Sequence, residues 1–179
     1  MRITVYLGSN CGKDPAFREN AQALGTWIGI NGHTLVYGGS GDGLMGILAS
    51  AVLSAGGKVT GVMPGFLIRI GRAYKGLKDF YEVETMAERK NKMLELGDAY
   101  IAMPGGPGTL EEISEAISAS RLRLHGKPCI FFNINNYYDD QFAQFARMEE
   151  QGFVSRDEMQ NVYNAKTLDE IIAVLERKV

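Results

Sequence analysis

The chain has 179 residues, which is room for one domain. Its 45% apolar and 22% charged residues exclude a disordered or collagen-like chain. The formal net charge of −2 argues against binding to a nucleic-acid polymer, because such binding favours a basic surface. Neither a signal sequence nor an apolar run of membrane-spanning length is found, so we expect no membrane partner. The two cysteines, Cys11 and Cys129, lack metal-ligand and disulfide spacing, which favours the reducing cytoplasm.

Short β-branched or aromatic runs alternate with longer amphipathic runs along the whole chain. In chain order we predict strand 3–7, helix 14–30, strand 34–37, helix 44–55, strand 58–62, a loop with a helical turn at 63–78, strand 80–83, helix 85–96, strand 99–103, helix 109–124, strand 128–133, helix 138–151, strand 161–163 and helix 168–177. This alternation predicts right-handed crossovers. The fold class is therefore α/β, one domain over residues 1–179 with a doubly wound, mostly parallel, Rossmann-like sheet.

Four loops follow predicted strands and are expected to meet at one edge of that sheet. They are residues 8–13, 38–43, 63–72 and 104–108, and three of them are rich in Gly, Ser or Asn. Open α/β sheets bind ligands outside the carboxyl ends of their strands, near the switch in strand order. We therefore expect the ligand at this edge.

The loop at 104–108 carries the strongest signal. Gly105, Gly106 and Gly108 allow backbone N–H groups to point at an anion, and the helix predicted from Thr109 adds its positive end and a hydroxyl. The spacing is neither that of a Walker loop nor that of a dinucleotide site. A phosphate site is favoured over a tight turn without ligand, because three glycines exceed what a turn needs.

Charged residues stand beside this loop in two places. Glu111 and Glu112 fall in the first helical turn, where one acidic residue already satisfies the helix dipole. Glu112 shares a helix face with Thr109 and is placed to flank the ligand, whereas Glu111 points about 100° away and is expected at the surface. Residues 88–90, Glu-Arg-Lys, lie on the predicted helix 85–96, where a charged run is usually a solvated face.

The histidines and the later aromatic residues are interpreted as structural. His33 and His125 have no cysteine or acidic partner at metal-ligand spacing, so no metal site is predicted. Four aromatic residues are interpreted as core and helix entry rather than as a platform for a base: Phe131, Phe132, Tyr137 and Tyr138.

Several segments together resemble the LOG ("lonely guy") family of cytokinin riboside 5′-monophosphate phosphoribohydrolases, long misnamed lysine decarboxylases. The family pattern Pro-Gly-Gly-x-Gly-Thr-x-x-Glu is matched in full by residues 104–112, and its Arg-Lys pair by Arg89 and Lys90. Further matches are Gly8-Ser9, Tyr37-Gly38-Gly39, Gly43-Leu44-Met45-Gly46 and His125-Gly126-Lys127-Pro128. The resemblance covers residues 1–133.

The resemblance implies hydrolysis of the N-glycosidic bond of an N6-modified AMP, giving free base and ribose 5-phosphate without a metal or organic cofactor. It assigns the catalytic roles to Arg89 and Glu112. A carboxylate beside the sugar suits this chemistry, since it stabilises an oxocarbenium-like state and directs a water. The substrate-binding residues it implies are Gly8, Ser9, Gly38, Gly39, Lys90, Gly105, Gly106, Gly108, Thr109 and Ser118. Ser118 stands where the family usually has Thr before a Trp.

The resemblance also implies a homodimer or larger homo-oligomer, with helices 85–96 and 109–124 near the interface. Ile113, Ala116, Ile117 and Ser120 form a small, apolar stripe at helical spacing, which suits either such an interface or packing on the sheet. An alternative function is a non-catalytic nucleotide-binding or carrier protein, which would keep the glycine loops without needing Arg89 and Glu112. Their joint presence favours the enzyme. Nothing in the sequence marks the Schiff-base lysine of a pyridoxal-dependent decarboxylase.

Overall fold

The computed structural model describes residues 1–177, which are organised around one parallel sheet. Its strands are β1 (Arg2–Tyr6), β2 (Thr34–Tyr37), β3 (Lys58–Pro64), β4 (Asp79–Val83), β5 (Ala99–Ala102), β6 (Cys129–Phe132) and β7 (Val162–Ala165). The helices are α1 (Pro15–Ile30), α2 (Gly43–Ser54), α3 (Gly65–Arg69), α4 (Met86–Leu96), α5 (Pro107–Arg121), α6 (Asp139–Glu150) and α7 (Leu168–Arg177). A short 3₁₀ helix, Ile134–Asn136, follows β6.

The strand order is β4-β3-β2-β1-β5-β6-β7, and every pairing is parallel. The predicted doubly wound α/β fold is thus confirmed. The chain leaves β1 in one direction to build β2, β3 and β4, and returns to the other side of β1 with β5. The order therefore reverses between β1 and β5, and this is where the fold places a ligand.

Two helix starts that matter for the site are set by side-chain caps. The carboxylate of Asp14 accepts from the N–H of Ala16 at 2.9 Å, and Pro15 takes the first helical position of α1. At α4, the hydroxyl of Thr85 accepts from the N–H of Glu88 at 3.1 Å, while the Glu88 carboxylate accepts from the N–H of Glu84 at 2.9 Å. These two bonds fix the turn of α4 that carries Arg89.

The predicted start of the next helix was wrong by two residues. Helix α5 begins at Pro107 instead of Thr109, with Gly106 as its N-cap. Proline suits the first helical position because its φ is already helical and its missing N–H leaves no orphan donor. Gly108 and Thr109 therefore belong to the first turn of α5. In the segment predicted as a loop at 63–78, β3 extends to Pro64 and α3 supplies the expected helical turn.

The core has one apolar layer on each face of the sheet. The first is built mainly by α1, α2 and α7, and the second by α4, α5 and α6. Ile113, Ala116 and Ile117 pack in the second layer with at most 5% exposure, and Ser120 accepts a hydrogen bond from Asn161. The apolar stripe therefore packs on the sheet, and its interpretation as a subunit interface is wrong.

Both histidines take structural places, as expected. The His33 ring lies 5.0 Å from Trp27, and that of His125 lies 5.2 Å from Tyr100. Cys11 and Cys129 are free thiols. Within residues 1–177, none of the helices combines the length and the apolar composition needed to cross a bilayer.

Candidate active site at the strand-order switch

A pocket of about 500 Å³ opens beside the carboxyl ends of β1 and β5. Its lining includes the charged pair Arg89 and Glu112 and two loop segments, residues 8–12 and 104–109. Larger side chains complete it: Leu7, Phe17, Leu44, Met45 and Tyr137. The pocket thus combines polar groups with apolar surface, as small-molecule sites do.

Two of the four loops expected at this edge line the pocket. The other two contact each other and are not part of its lining. Residues 8–12 and 104–108 form the lining. The loop at 38–43 lies against the loop at 63–72, because the N–H of Gly41 donates to the Arg72 carbonyl at 3.2 Å. A salt bridge of 2.7 Å between Arg72 and Asp42 joins the same two loops.

Arg89 and Glu112 form a buried ion pair in the pocket wall. Nη1 of Arg89 lies 2.9 Å from Oε1 of Glu112, and their side chains are 8% and 9% exposed. Nε of Arg89 also donates to the carbonyl of Val62 at 3.1 Å, so β3 fixes the plane of the guanidinium. Within residues 1–177, Glu112 accepts a side-chain hydrogen bond at Oε1 and none at Oε2. The predicted pair therefore meets, with one carboxylate oxygen left for a ligand or a water.

The Glu112 carboxyl is electrostatically perturbed. Burial raises its pKa above that of an ordinary glutamate, Arg89 opposes this rise, and the neighbouring Glu111 adds to it. The net direction is upward, because removing a carboxylate from water disfavours its charged form. A carboxyl group with a raised pKa in a cleft is suited to exchanging protons near neutral pH.

Gly38 lies against the pair, and neither Gly38 nor Gly39 lines the pocket. A Cβ added to Gly38 would overlap Nη2 of Arg89, so the guanidinium occupies the space that a side chain would fill. Gly39 has a φ of +79°, a conformation that favours glycine, and it packs against Phe80 and Met63. Gly38 therefore leaves the space that Arg89 occupies, and substrate binding by Gly38 and Gly39 stays a prediction.

We call residues 103–108 the glycine loop. Within residues 1–177, the N–H groups of Gly105, Gly106 and Gly108 have no hydrogen-bond acceptor. Thr109 is 4% exposed and its hydroxyl lies directly against Gly105, where a Cβ would overlap it. Gly8 packs against the same loop and donates its N–H to the Pro104 carbonyl at 3.2 Å. Free donors at the start of α5 form an anion-binding surface.

Lys90 and Ser118 are not brought to the pocket. Nζ of Lys90 lies 2.7 Å from Glu111 and 3.2 Å from Glu115, and these hydrogen bonds raise the pKa of Lys90. Lys90 thus links α4 to α5. Glu111 is 62% exposed, as predicted for a surface residue. Ser118 lies on an exposed face of α5 and is left out of the site. Ser9 lies at the pocket rim.

Tyr137 was misinterpreted as helix entry alone. It lines the pocket, its ring meets that of Phe17 edge to face at 5.6 Å, and its hydroxyl donates to the Gly105 carbonyl at 2.6 Å. Tyr138, in contrast, is buried against Phe131 as expected. One signal for Tyr137 was available, because it closely follows a strand whose carboxyl end lies beside that of β5.

Known proteins resemble this chain over most of its length. The family model described as "Possible lysine decarboxylase" matches residues 45–175. The chain is 38% identical to the cytokinin riboside 5′-monophosphate phosphoribohydrolase of Rhodococcoides fascians, over 97% of this chain and 88% of that protein. It is 36% identical to the phosphoribohydrolase LOG4 of Arabidopsis thaliana, over 98% of this chain and 81% of that protein.

A solved structure supports the fold alone. The molybdenum cofactor binding protein of Rippkaea orientalis superposes with a TM-score of 0.75 at 22% identity, covering 98% of this chain and 95% of that one. Family membership rests on the other comparisons. The family model matches most of the chain, and the two phosphoribohydrolases are 36–38% identical to nearly all of it. The chain therefore belongs to the LOG family, the family of the cytokinin riboside 5′-monophosphate phosphoribohydrolases.

Proposed function

We propose that this protein hydrolyses the N-glycosidic bond of an N6-substituted adenosine 5′-monophosphate to the free base and ribose 5-phosphate. The observation that carries the proposal is the buried ion pair of Arg89 and Glu112, which lies in the same pocket as the donor-rich glycine loop. The names of the relatives give the substrate class.

The glycine loop is the proposed site of the 5′-phosphate. A Cβ added to Gly106 or to Gly108 would meet no atom within 4 Å, and neither residue has a positive φ. Nothing within the described part of the chain therefore requires glycine at these two positions. A ligand that approaches the backbone closely explains both. The N–H groups and the hydroxyl of Thr109 then bind the phosphate at the positive end of α5.

Glu112 is the proposed catalytic carboxylate and Arg89 the arginine that orients it. A water attacks C1′ of the ribose and gives a proton to Glu112, while the bond between C1′ and the base nitrogen breaks. The base leaves with the electron pair of that bond and takes up a proton from water, and Glu112 returns its proton to the solvent. The carboxylate also stabilises the positive charge that develops on the sugar. These steps use only groups of the chain, the substrate and water.

We further propose an AMP-like nucleotide as the ligand, a cytoplasmic location and a homodimer or larger homo-oligomer. The location is supported by two unpaired thiols, one half-buried and one buried. The oligomer is supported by the family resemblance and remains a prediction.

A panel of nucleoside monophosphates tests the proposed reaction. Purified protein is incubated with AMP and N6-substituted AMPs, and free base is measured by chromatography. We expect release of base from at least one member. Tight binding of a nucleotide that is recovered intact would instead support the carrier alternative, which gives no role to the buried ion pair.

A further inference from the structure

The backbone of an anion-binding loop carries carbonyl oxygens as well as N–H groups, and the oxygens repel an anion. In the glycine loop, four consecutive carbonyls each accept a hydrogen bond. Met103 accepts from the Tyr138 hydroxyl at 2.7 Å and Gly105 from the Tyr137 hydroxyl at 2.6 Å. Pro104 and Gly106 accept backbone N–H groups at 3.2 and 3.0 Å. Each carbonyl of residues 103–106 therefore already accepts a hydrogen bond from within the protein.

Tyr137 and Tyr138 hold different peptide groups of the glycine loop, and only one of those peptides carries an N–H. A trans peptide holds the carbonyl of one residue antiparallel to the N–H of the next. The carbonyl of Met103 shares its peptide with Pro104, which has no N–H, so Tyr138 orients no donor. The carbonyl of Gly105 shares its peptide with Gly106, whose N–H has no acceptor within residues 1–177. Tyr137 therefore sets the direction of a free donor.

The segment that carries Tyr137 is held in an unusual conformation. Asn135 and Asn136 have φ values of 51° and 63°, which is rare for residues other than glycine. Asn135 donates to the Asp14 carboxylate at 2.8 Å, and Asn136 accepts from Lys166 at 2.7 Å. The segment is thereby tied to the start of α1 and to the end of β7. Such strain persists where the surroundings impose it, and it often accompanies functional positions.

We propose that Tyr137 is a positioning residue for the 5′-phosphate. Its hydroxyl holds the Gly105 carbonyl and so directs the Gly106 N–H, and the enzyme's preference for a 5′-monophosphate over the riboside depends on that bond. The inference rests on the proposed function. Tyr137 is 46% exposed, so its hydroxyl has water as an alternative partner, and yet it is bonded to the loop.

Tyr137→Phe tests the inference, because it removes the hydroxyl and keeps the ring. We measure kcat and KM for an N6-substituted AMP and for its riboside, and the Kd of ribose 5-phosphate by calorimetry. We expect KM for the monophosphate and Kd for ribose 5-phosphate to rise about tenfold, the size of one hydrogen bond to a charged group. The kcat should stay within about twofold, and kcat/KM for the riboside should not change.

Tyr138→Phe is the matched control. It also removes one hydroxyl that is bonded to the loop, at a peptide without a donor. We expect it to lower the midpoint of thermal unfolding while the preference for the monophosphate stays at the wild-type value. Tyr81→Phe, at a half-exposed position of the edge strand β4, is expected to change neither quantity.

Four outcomes separate the possibilities. If Tyr137→Phe keeps the wild-type preference and the wild-type Kd of ribose 5-phosphate, the inference is overturned. An equal loss for monophosphate and riboside overturns it too, since that indicates a general structural effect. If the wild-type protein binds ribose 5-phosphate but releases no base from any nucleotide, the proposed function fails. The calorimetric comparison then still decides the role of Tyr137, and a wild-type protein that neither binds ribose 5-phosphate nor releases base overturns both.

Discussion

At the scale of single residues, the two members of the ion pair have unequal freedom. Arg89 is fixed by Glu112 on one side and by the Val62 carbonyl on the other. Glu112 is held through one oxygen and keeps the other available within the described chain. The arginine is thus a fixed support, and the carboxylate is the group with spare bonding capacity.

Glu112→Gln is expected to keep the fold and phosphate binding, because the amide oxygen still accepts a hydrogen bond from Arg89. Turnover should fall by roughly 10²-fold or more, the contribution of a positioned acid–base group. Arg89→Ala should be similarly damaging, and the double variant should lose less than the product of the two losses. Steady-state release of base measures all of them. Glu111→Gln is the control, since its side chain is exposed, and a Glu111 variant that loses more activity than Glu112→Gln would refute the assignment.

The pH dependence of turnover should report the raised pKa of Glu112. The proposed reaction needs the ionised carboxylate, so kcat/KM should fall as the pH is lowered through that pKa. Since burial raises it, the fall should begin at a higher pH than the ordinary glutamate pKa of about 4.3 predicts. A pH series of initial rates checks this, and the acid limb should disappear from the residual activity of Glu112→Gln. An acid limb at or below the ordinary value would contradict the role given to burial.

Gly38→Ala should displace Arg89 without removing any polar group. The new Cβ would overlap the guanidinium, so the arginine must shift, and misplacing a catalytic group by about 1 Å can cost on the order of 10²-fold in rate. The measurement is kcat for base release alongside the thermal midpoint. Gly126→Ala is the control, because a Cβ there would have open space. Normal turnover in Gly38→Ala would show that the arginine has room to move.

At the scale of elements, α4 and α5 bring the pair together and are themselves linked by Lys90. Its ammonium bridges Glu111 and Glu115, while the preceding residue, Arg89, points into the pocket. Neighbouring residues on α4 thus serve different purposes. Arg89 contributes its guanidinium to the pocket, and Lys90 links α4 to α5.

Lys90→Met is expected to affect stability slightly and substrate binding hardly at all. The bridge is partly exposed, and such pairs contribute less than about 1 kcal/mol. Chemical denaturation gives the stability change, and KM for the nucleotide gives the binding change. A large rise in KM at unchanged stability would restore Lys90 to the substrate-binding residues.

The elements show what the sequence could and could not predict. Strand and helix alternation defines each element locally, so the order and type of elements were predictable. The contact between Arg89 and Glu112 was predictable, because each residue lies early in a helix that follows a parallel strand. Both helices therefore begin at the same edge of the sheet. The position of Lys90 and Ser118 outside the pocket lining was not predictable, because motif similarity does not say which way a side chain leaves its helix. Tyr137 was missed because its role depends on a hydrogen bond between segments about 30 residues apart.

At the scale of the whole molecule, the surface of one described chain keeps exposed apolar side chains near the end of α5 and beyond α6. Leu122, Leu124 and Phe153 are each more than 70% exposed. The segment after α5, which the sequence predicts as part of helix 109–124, therefore keeps exposed apolar side chains even though the stripe around Ile113 is internal.

The protein is expected to sediment as a homodimer or a larger species at micromolar concentration. Apolar side chains that are exposed in one chain favour association, because association removes them from water. Equilibrium sedimentation over a dilution series gives the mass. A stable monomer throughout the series would remove the oligomer from the proposal.

The central position of β1 has a consequence for how the protein is made. Of the seven described strands this one is synthesised before the others, but its second neighbour, β5, lies almost 100 residues later. Until that segment has left the ribosome, one edge of β1 has no partner, and the incomplete sheet presents bare N–H and C=O groups. The pocket is also incomplete, because residues 104–108, which follow β5, form part of its lining. A nascent chain that stops before β5 would therefore be both inactive and prone to pair with other chains.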